Sequence, residues 1–233
     1  MPAIVYLIPT ILYEGEKNCL PSYLLDAVKQ CSIFFVENER TARRNLKLLW
    51  KEMVIDDYKW FSIKDLNNAT IAEFKNALQQ EYTIGIMSEA GCPGVADPGQ
   101  QLVLIAQEAD VHIRPLVGPS SILLALMASG MNGQHFTFNG YLPIEQTEKI
   151  KKIKLLESDS RQRGCTEIFI ETPYRNNQLL ESLIQTCNPK TLLCIAADIT
   201  AASEFIKTRT IQQWKKHKPE LHKKPAIFLM LAK

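Results

Sequence analysis

Short β-branched or aromatic runs alternate along this chain with stretches whose apolar residues recur every three or four positions. That alternation constrains the fold more than any other feature. Ile4 to Ile8, Ile33 to Val36, Thr83 to Met87 and His112 to Leu116 read as strands in the first half. Glu167 to Ile170, Thr191 to Ala196 and Ala226 to Leu231 read as strands in the second. Tyr23 to Gln30, Thr41 to Trp50 and Ser120 to Ser129, the last stopped by Gly130, read as helices, and Thr70-Ile-Ala-Glu73 reads as a capping box. Strands and helices taken in turn predict an α/β protein with mainly parallel mixed sheets covered by helices. Gly118 and Pro119 end a strand near the point where charge changes sign, which predicts two domains, 1–116 and 117–233. In such sheets ligands bind beyond the carboxyl ends of the strands, so the loops after Ile8, Met87, Leu116, Ile170 and Ala196 are the places to search.

Composition narrows the function classes. Of 233 residues, 46% are hydrophobic and 22% charged, as in a globular protein with a full core. The longest uninterrupted apolar runs, Ile122 to Ala128 among them, are seven residues where a membrane span needs about 20. With no basic, apolar leader at its start, the chain is expected to be cytoplasmic. Six cysteines form no C-x-x-C pair, and neither they nor the four histidines show metal-ligand spacing, so reduced thiols and no metal are expected. Residues 1–116 hold 11 Lys/Arg against 15 Asp/Glu, and residues 117–233 hold 16 against 10, so an anionic partner would meet the second half first.

The densest local signal is Ser88-Glu-Ala-Gly-Cys-Pro-Gly-Val-Ala-Asp-Pro-Gly99, which follows a buried-looking strand and precedes a helix starting near Gln100. Three glycines and two prolines make a rigid loop, either a ligand loop that admits close main-chain approach or a tight structural crossover. It matches neither G-x-G-x-x-G nor the P-loop pattern, which disfavours a dinucleotide or ATP.

This loop resembles the S-D-A-G-T-P-G-x-x-D-P-G signature of the tetrapyrrole methylase superfamily of S-adenosylmethionine (SAM) dependent methyltransferases, in its branch that 2′-O-methylates a cytidine of small-subunit ribosomal RNA. Leu7-Ile-Pro-Thr10, Glu37-Asn-Glu-Arg-Thr-Ala-Arg43, Leu116-Val-Gly-Pro-Ser-Ser121, Phe138-Asn-Gly-Tyr-Leu-Pro143 and Phe169-Ile-Glu-Thr-Pro-Tyr-Arg175 resemble further family segments in order and spacing. The resemblance implies two αβα domains and SAM folded into an interdomain cleft, held mostly by main chain. Ile8, Pro9, Thr10, Gly91, Cys92, Pro93, Gly94, Val95, Ser120, Ser121, Ile170 and Ala197 would line it, with Pro225 and Ala226 near adenine. It also implies a homodimer.

Two departures bear on the substrate. The family's P-I-G-N-L-G-D is replaced by Ile11-Leu-Tyr-Glu-Gly-Glu-Lys-Asn-Cys-Leu-Pro21, and its R-E-L-T-K falls on Ala197-Asp-Ile-Thr-Ala201. A hydroxyl nucleophile needs its proton taken, and Glu37, Glu39, Glu89, Asp97 and Glu171 are the candidate bases, with Arg40, Arg43 and Arg175 for an anionic substrate. Glu37 with Arg40 as a structural ion pair, and Asp97 as a helix cap, are the competing structural readings. Lys207 to Lys224 carries seven Lys/Arg against one Glu, a phosphate-tracking surface with Trp214 to stack a base, or else a solvated face with Trp214 in the core. The expected activity is methyl transfer to an RNA ribose or a related anionic substrate. Methylation of a uroporphyrinogen or corrin-type tetrapyrrole, and SAM binding without turnover, are the alternatives.

Overall fold

The computed structural model describes residues 2–233, with Lys17 by its backbone alone. The chain divides into two compact units, 1–120 and 121–233, four residues beyond the boundary expected at 116/117.

The first unit holds strands β1 (Ile4–Leu7), β2 (Ile33–Val36), β3 (Lys59–Ser62), β4 (Thr83–Met87) and β5 (His112–Pro115), and helices α1 (Leu24–Gln30), α2 (Glu39–Leu49), α3 (Asn68–Gln79) and α4 (Gln100–Glu108). All its strands are parallel, in the order β3-β2-β4-β1-β5. The chain winds outward from β1 through β2 to β3, then returns to β4 and β5. Right-handed crossovers in both directions put the first helices on one face and the later ones on the other. Accordingly Ala27, Val28, Ala42 and Leu46 pack with Tyr6, Ile8, Phe34 and Val36, while Phe74, Ala77, Leu102 and Ala106 pack with Val5, Phe35, Ile84 and Ile86. The period-2 alternation of strand side chains serves both cores at once. Between β2 and β4 the winding direction reverses, which opens a crevice at their carboxyl ends.

Helix starts differ from the sequence reading where an asparagine stands earlier. Asn67, extended at φ −122° and ψ 170°, accepts from Thr70 N at 3.0 Å and caps α3, so Thr70 is already inside the helix and no box forms at Thr70-Glu73. Asn38 caps α2 in the same way, three residues before the expected start at Thr41, by accepting from Thr41 N at 3.2 Å.

The second unit holds α5 (Ser121–Ser129), β6 (Phe136–Tyr141), α6 (Gln146–Arg163), β7 (Thr166–Ile170), α7 (Asn176–Thr186), β8 (Leu192–Ala197), β9 (Phe205–Thr210), α8 (Ile211–Lys216) and β10 (Ala226–Leu231). Its sheet runs β6-β7-β10-β8-β9, parallel at β6/β7 and antiparallel elsewhere. Across both sheets five of the eight named strand pairings are parallel. One face of this sheet packs Phe169, Leu193, Ile195 and Phe228 against Ile153, Leu179, Leu183 and Trp214. Trp214 is fully buried and donates Nε1–H to Leu193 O at 2.8 Å, so it is a core anchor and stacks no base. No described helix is long and apolar enough to cross a membrane.

Candidate active site

In the first unit three strand-end segments converge. Ile8 N donates to Ile86 O at 2.9 Å and Leu116 N to Leu7 O at 3.1 Å, which extends β1 pairing past the strand ends on both sides. Thr10 N donates to Gly91 O at 2.9 Å, and Cys92 Sγ lies 3.4 Å from Pro119 O. Residues 8–10, 91–95 and 116–120, which the sequence singled out separately, therefore form one cluster at the carboxyl edge of the sheet. The Ile8 side chain is fully buried in the core, leaving only its main chain to meet a ligand. Gly94 sits at φ +79° with nothing within 4 Å of where a Cβ would be, and Val95 is half exposed: the loop's outer wall is open backbone. Burial, with Asp97 second, pushes the Cys92 thiol up, so it stays protonated and is no nucleophile.

The β2/β4 crevice beside this cluster is lined by Glu37, Ser88, Gly94 and Asp97. Glu37 Oε2 accepts from Glu89 N at 2.8 Å, tying the loop of residues 88–99 to the end of β2 across the switch point. Asp97 is pushed up from 3.8 to about 6, first by burial, then by the Glu37 and Glu89 charges, against a lowering by Ser88. The helix that follows is capped at Gly99, so Asp97 does not cap it. Glu39 pairs with Arg43 at 2.8 Å, and the Arg43 guanidinium lies over the Trp60 ring. Arg40 is exposed in the first turn of α2. The hydroxyl oxygen of Tyr23, which the sequence did not mark, accepts from Val117 N at 2.7 Å.

In the second unit the register brings another predicted group together: Ile227 pairs with Ile170, Ala226 with Ala197, and Asp198 N donates to Pro225 O at 3.0 Å. Ile170, Ala197, Pro225 and Ala226 thus share one sheet edge. Ala197 keeps its side chain in the core and, like Ile8, has only backbone to offer. Glu171 is buried at this edge. Its Oε1 accepts from Thr172 N at 2.7 Å and from Arg175 Nε and Nη2 at 3.0 and 2.7 Å, while Oε2 has no partner. Asp198, also buried and at φ +51°, accepts from Ser203 Oγ at 3.1 Å and faces Lys224 Nζ at 3.7 Å. Its place in the Ala197–Ala201 stretch was visible in the sequence; its burial was not. Ser120 ends the first unit and Ser121 opens α5.

No protein-family model matches the chain. A ribosomal RNA small subunit methyltransferase I from Vibrio cholerae is 31% identical over 204 residues, which are 87% of this chain and 67% of that protein. The protein of the same name from Buchnera aphidicola is 31% identical over 231 residues, 98% of this chain and 78% of its own length. The chain belongs to the ribosomal RNA small subunit methyltransferase I family. Among solved structures, a diphthine synthase superposes with a TM-score of 0.70 at 16% identity, covering 99% of this chain and 90% of that one. The methyltransferase CobJ superposes at 0.65 and 16%, covering 100% and 95%. At such identity these two show the fold alone. It is the two-domain tetrapyrrole methylase fold that the methyltransferase I motifs led us to expect.

Proposed function

We propose that this chain transfers a methyl group from SAM to a ribose 2′-hydroxyl of small-subunit ribosomal RNA, working in the cytoplasm as a homodimer. The observation that carries the reading is the closure of residues 8–10, 91–95 and 116–120 into one cluster beside a carboxylate pushed up to about 6. Family membership supports the RNA substrate. The open wall at Gly94 and the core-packed side chain of Ile8 fit a cofactor held by main chain, with Pro9, Thr10, Gly91, Cys92, Pro93, Val95 and Ser120 beside them; the family resemblance implies Ser121, Ile170, Ala197, Pro225 and Ala226 as further contacts. SAM supplies an electrophilic methyl group on a sulfonium.

The protein's share of the work is alignment and proton removal. Asp97, ionised above about pH 6, takes the hydroxyl proton as the oxygen attacks. Glu37 holds the loop through Glu89 N and keeps Asp97 basic by its own charge. Exposed Arg40 offers a phosphate contact. Glu171 and Arg175, fastened to each other, position the end of β7.

Calorimetric titration with SAM tests the cofactor claim, and Gly94→Ala sharpens it. A Cβ at φ +79° strains the loop by roughly 1 kcal/mol without a clash, so the protein should still melt cooperatively within several degrees of the native chain. Its SAM dissociation constant should rise at least roughly tenfold. Unchanged affinity would show that ligand does not approach the backbone there.

A further inference from the structure

The basic stretch that follows β8 is not used by the reaction, and it borders a pocket. Ala197, Ala202, Ser203, Glu204, Phe205, Pro219, Glu220, Leu221 and Lys224 line a space of about 390 Å³. Phe205, Ala202 and Pro219 give it accessible apolar surface, with Ala197 and Leu221 buried beneath, and Ser203, Glu204, Glu220 and Lys224 complete the lining. The two acids of that lining are already engaged: Glu204 accepts from Thr200 N at 2.8 Å, and Glu220 from Asn177 Nδ2 and His222 N.

From this pocket β9 runs along the free edge of its sheet. Phe205, Lys207 and Arg209 are two residues apart and therefore lie on one face, spaced roughly 7 Å from one to the next. Arg209 lies over the Trp214 ring at 5.0 Å, and α8 adds exposed Lys215 and Lys216 beside it. Lys218 is paired with Glu181 and Lys224 faces Asp198, whereas Lys207, Lys215 and Lys216 have no carboxylate partner among the described residues. Lone lysines on an edge strand commonly serve to block strand pairing. Here the unpaired charges come from two elements that pack on each other, β9 and α8, and β9 also carries Phe205, the aromatic wall of the pocket.

We propose that this pocket and the Lys207, Lys215 and Lys216 face beside it form a binding site for single-stranded RNA, with one unpaired base in the pocket against Phe205 and the following phosphates along the lysines. The site rests on the RNA-methylating reading of the chain and names the surface that would hold the substrate strand. Stacking on an aromatic ring takes any base, and phosphate neutralisation by lysine is sequence-independent, so the site guides the strand and leaves choice of nucleotide to the reacting centre.

The test uses fluorescence anisotropy on the full chain with a labelled 12-nucleotide single-stranded RNA and a duplex of the same length, together with calorimetric SAM titration. Lys207→Glu/Lys215→Glu/Lys216→Glu changes only exposed side chains and should raise the single-strand dissociation constant at least roughly tenfold, with the log–log salt slope smaller by about 2. Ala202→Trp, exposed at the pocket, should weaken single-strand binding about fivefold or more and leave duplex binding and SAM affinity unchanged. An unchanged RNA affinity in the triple variant overturns the proposal. A loss of SAM affinity in Ala202→Trp also overturns it, because the pocket would then belong to the cofactor site that Ala197 is proposed to join. These binding readouts are independent of turnover: native protein that holds single strands in this way but transfers no methyl to RNA would sink the parent reading and leave this one standing.

Discussion

Asp97→Asn is expected to lower kcat by roughly 10² to 10⁴ while leaving SAM affinity within a few-fold of the native chain. Asparagine keeps the shape and hydrogen-bonding reach of the side chain and loses its capacity to take a proton. Asp97 is the one acid of the crevice pushed close to neutrality, to about 6, where a base balances availability against strength at physiological pH. The native rate should therefore fall as pH drops below about 6, and the variant's residual rate should lose that limb. Stability gives a second, independent readout. The folded-state value lies above the ordinary 3.8, so the folded protein binds the Asp97 proton more tightly than the unfolded chain does. Stability from this group is complete below about pH 4 and declines as pH rises to about 6. Asp97→Asn should flatten that decline and gain about 1 kcal/mol at pH 7, after allowance for solvent screening of a half-exposed group. Full activity in the variant, with an unaltered pH profile, would remove Asp97 from the chemistry.

Gly118→Ala is expected to raise the SAM dissociation constant at least roughly 100-fold and to lower the melting temperature. Here the difficulty is space. A Cβ at Gly118 would stand 2.1 Å from Pro9 Cβ and 2.4 Å from Pro9 Cγ, and a proline ring cannot rotate aside. Residues 116–120 would have to move off residues 8–10, loosening Leu116 N to Leu7 O and the Cys92 contact with Pro119 O in the same displacement. Overpacking of this kind costs about 1–3 kcal/mol in stability, and the cluster proposed to hold cofactor is itself what separates. The contrast with Gly94→Ala is the informative part, since one glycine is required by a close approach and the other by its backbone conformation. Calorimetry and a thermal melt on both variants separate the two, and native affinity in Gly118→Ala would mean that these segments do not hold SAM.

What could be read from the residues depended on burial. Strands β2, β4 and β10, enclosed on both sides, announce themselves as predominantly apolar runs: Ile33 to Val36, Thr83 to Met87 and Ala226 to Leu231 match the structure residue for residue. Strands β3, β6 and β9 were missed, and all three are sheet edges. An edge strand mixes polar Lys59, Asn139, Lys207 or Arg209 into its apolar pattern, and β6 is further broken by an irregularity between Phe138 and Tyr141. The segments of the first-unit site were legible because Gly and Pro mark strand ends. Their closure was not, because Thr10 to Gly91 and Cys92 to Pro119 are contacts across many residues that no local pattern encodes. Asp97 and Glu171 looked alike as acids in motif segments. Only burial and neighbours distinguish them, one left beside like charges and the other fastened to Arg175.

The most direct measurement is methyl transfer itself. Purified protein is incubated with tritiated SAM and small ribosomal subunits from cells lacking this gene, and the extracted RNA is hydrolysed in alkali. A 2′-O-methyl group blocks attack of that ribose on its own 3′-phosphate, so the account predicts label in small-subunit RNA, recovered in an alkali-stable dinucleotide and absent with Asp97→Asn. Label confined to mononucleotides, or no protein-dependent label in RNA from a protein that binds SAM, would contradict it.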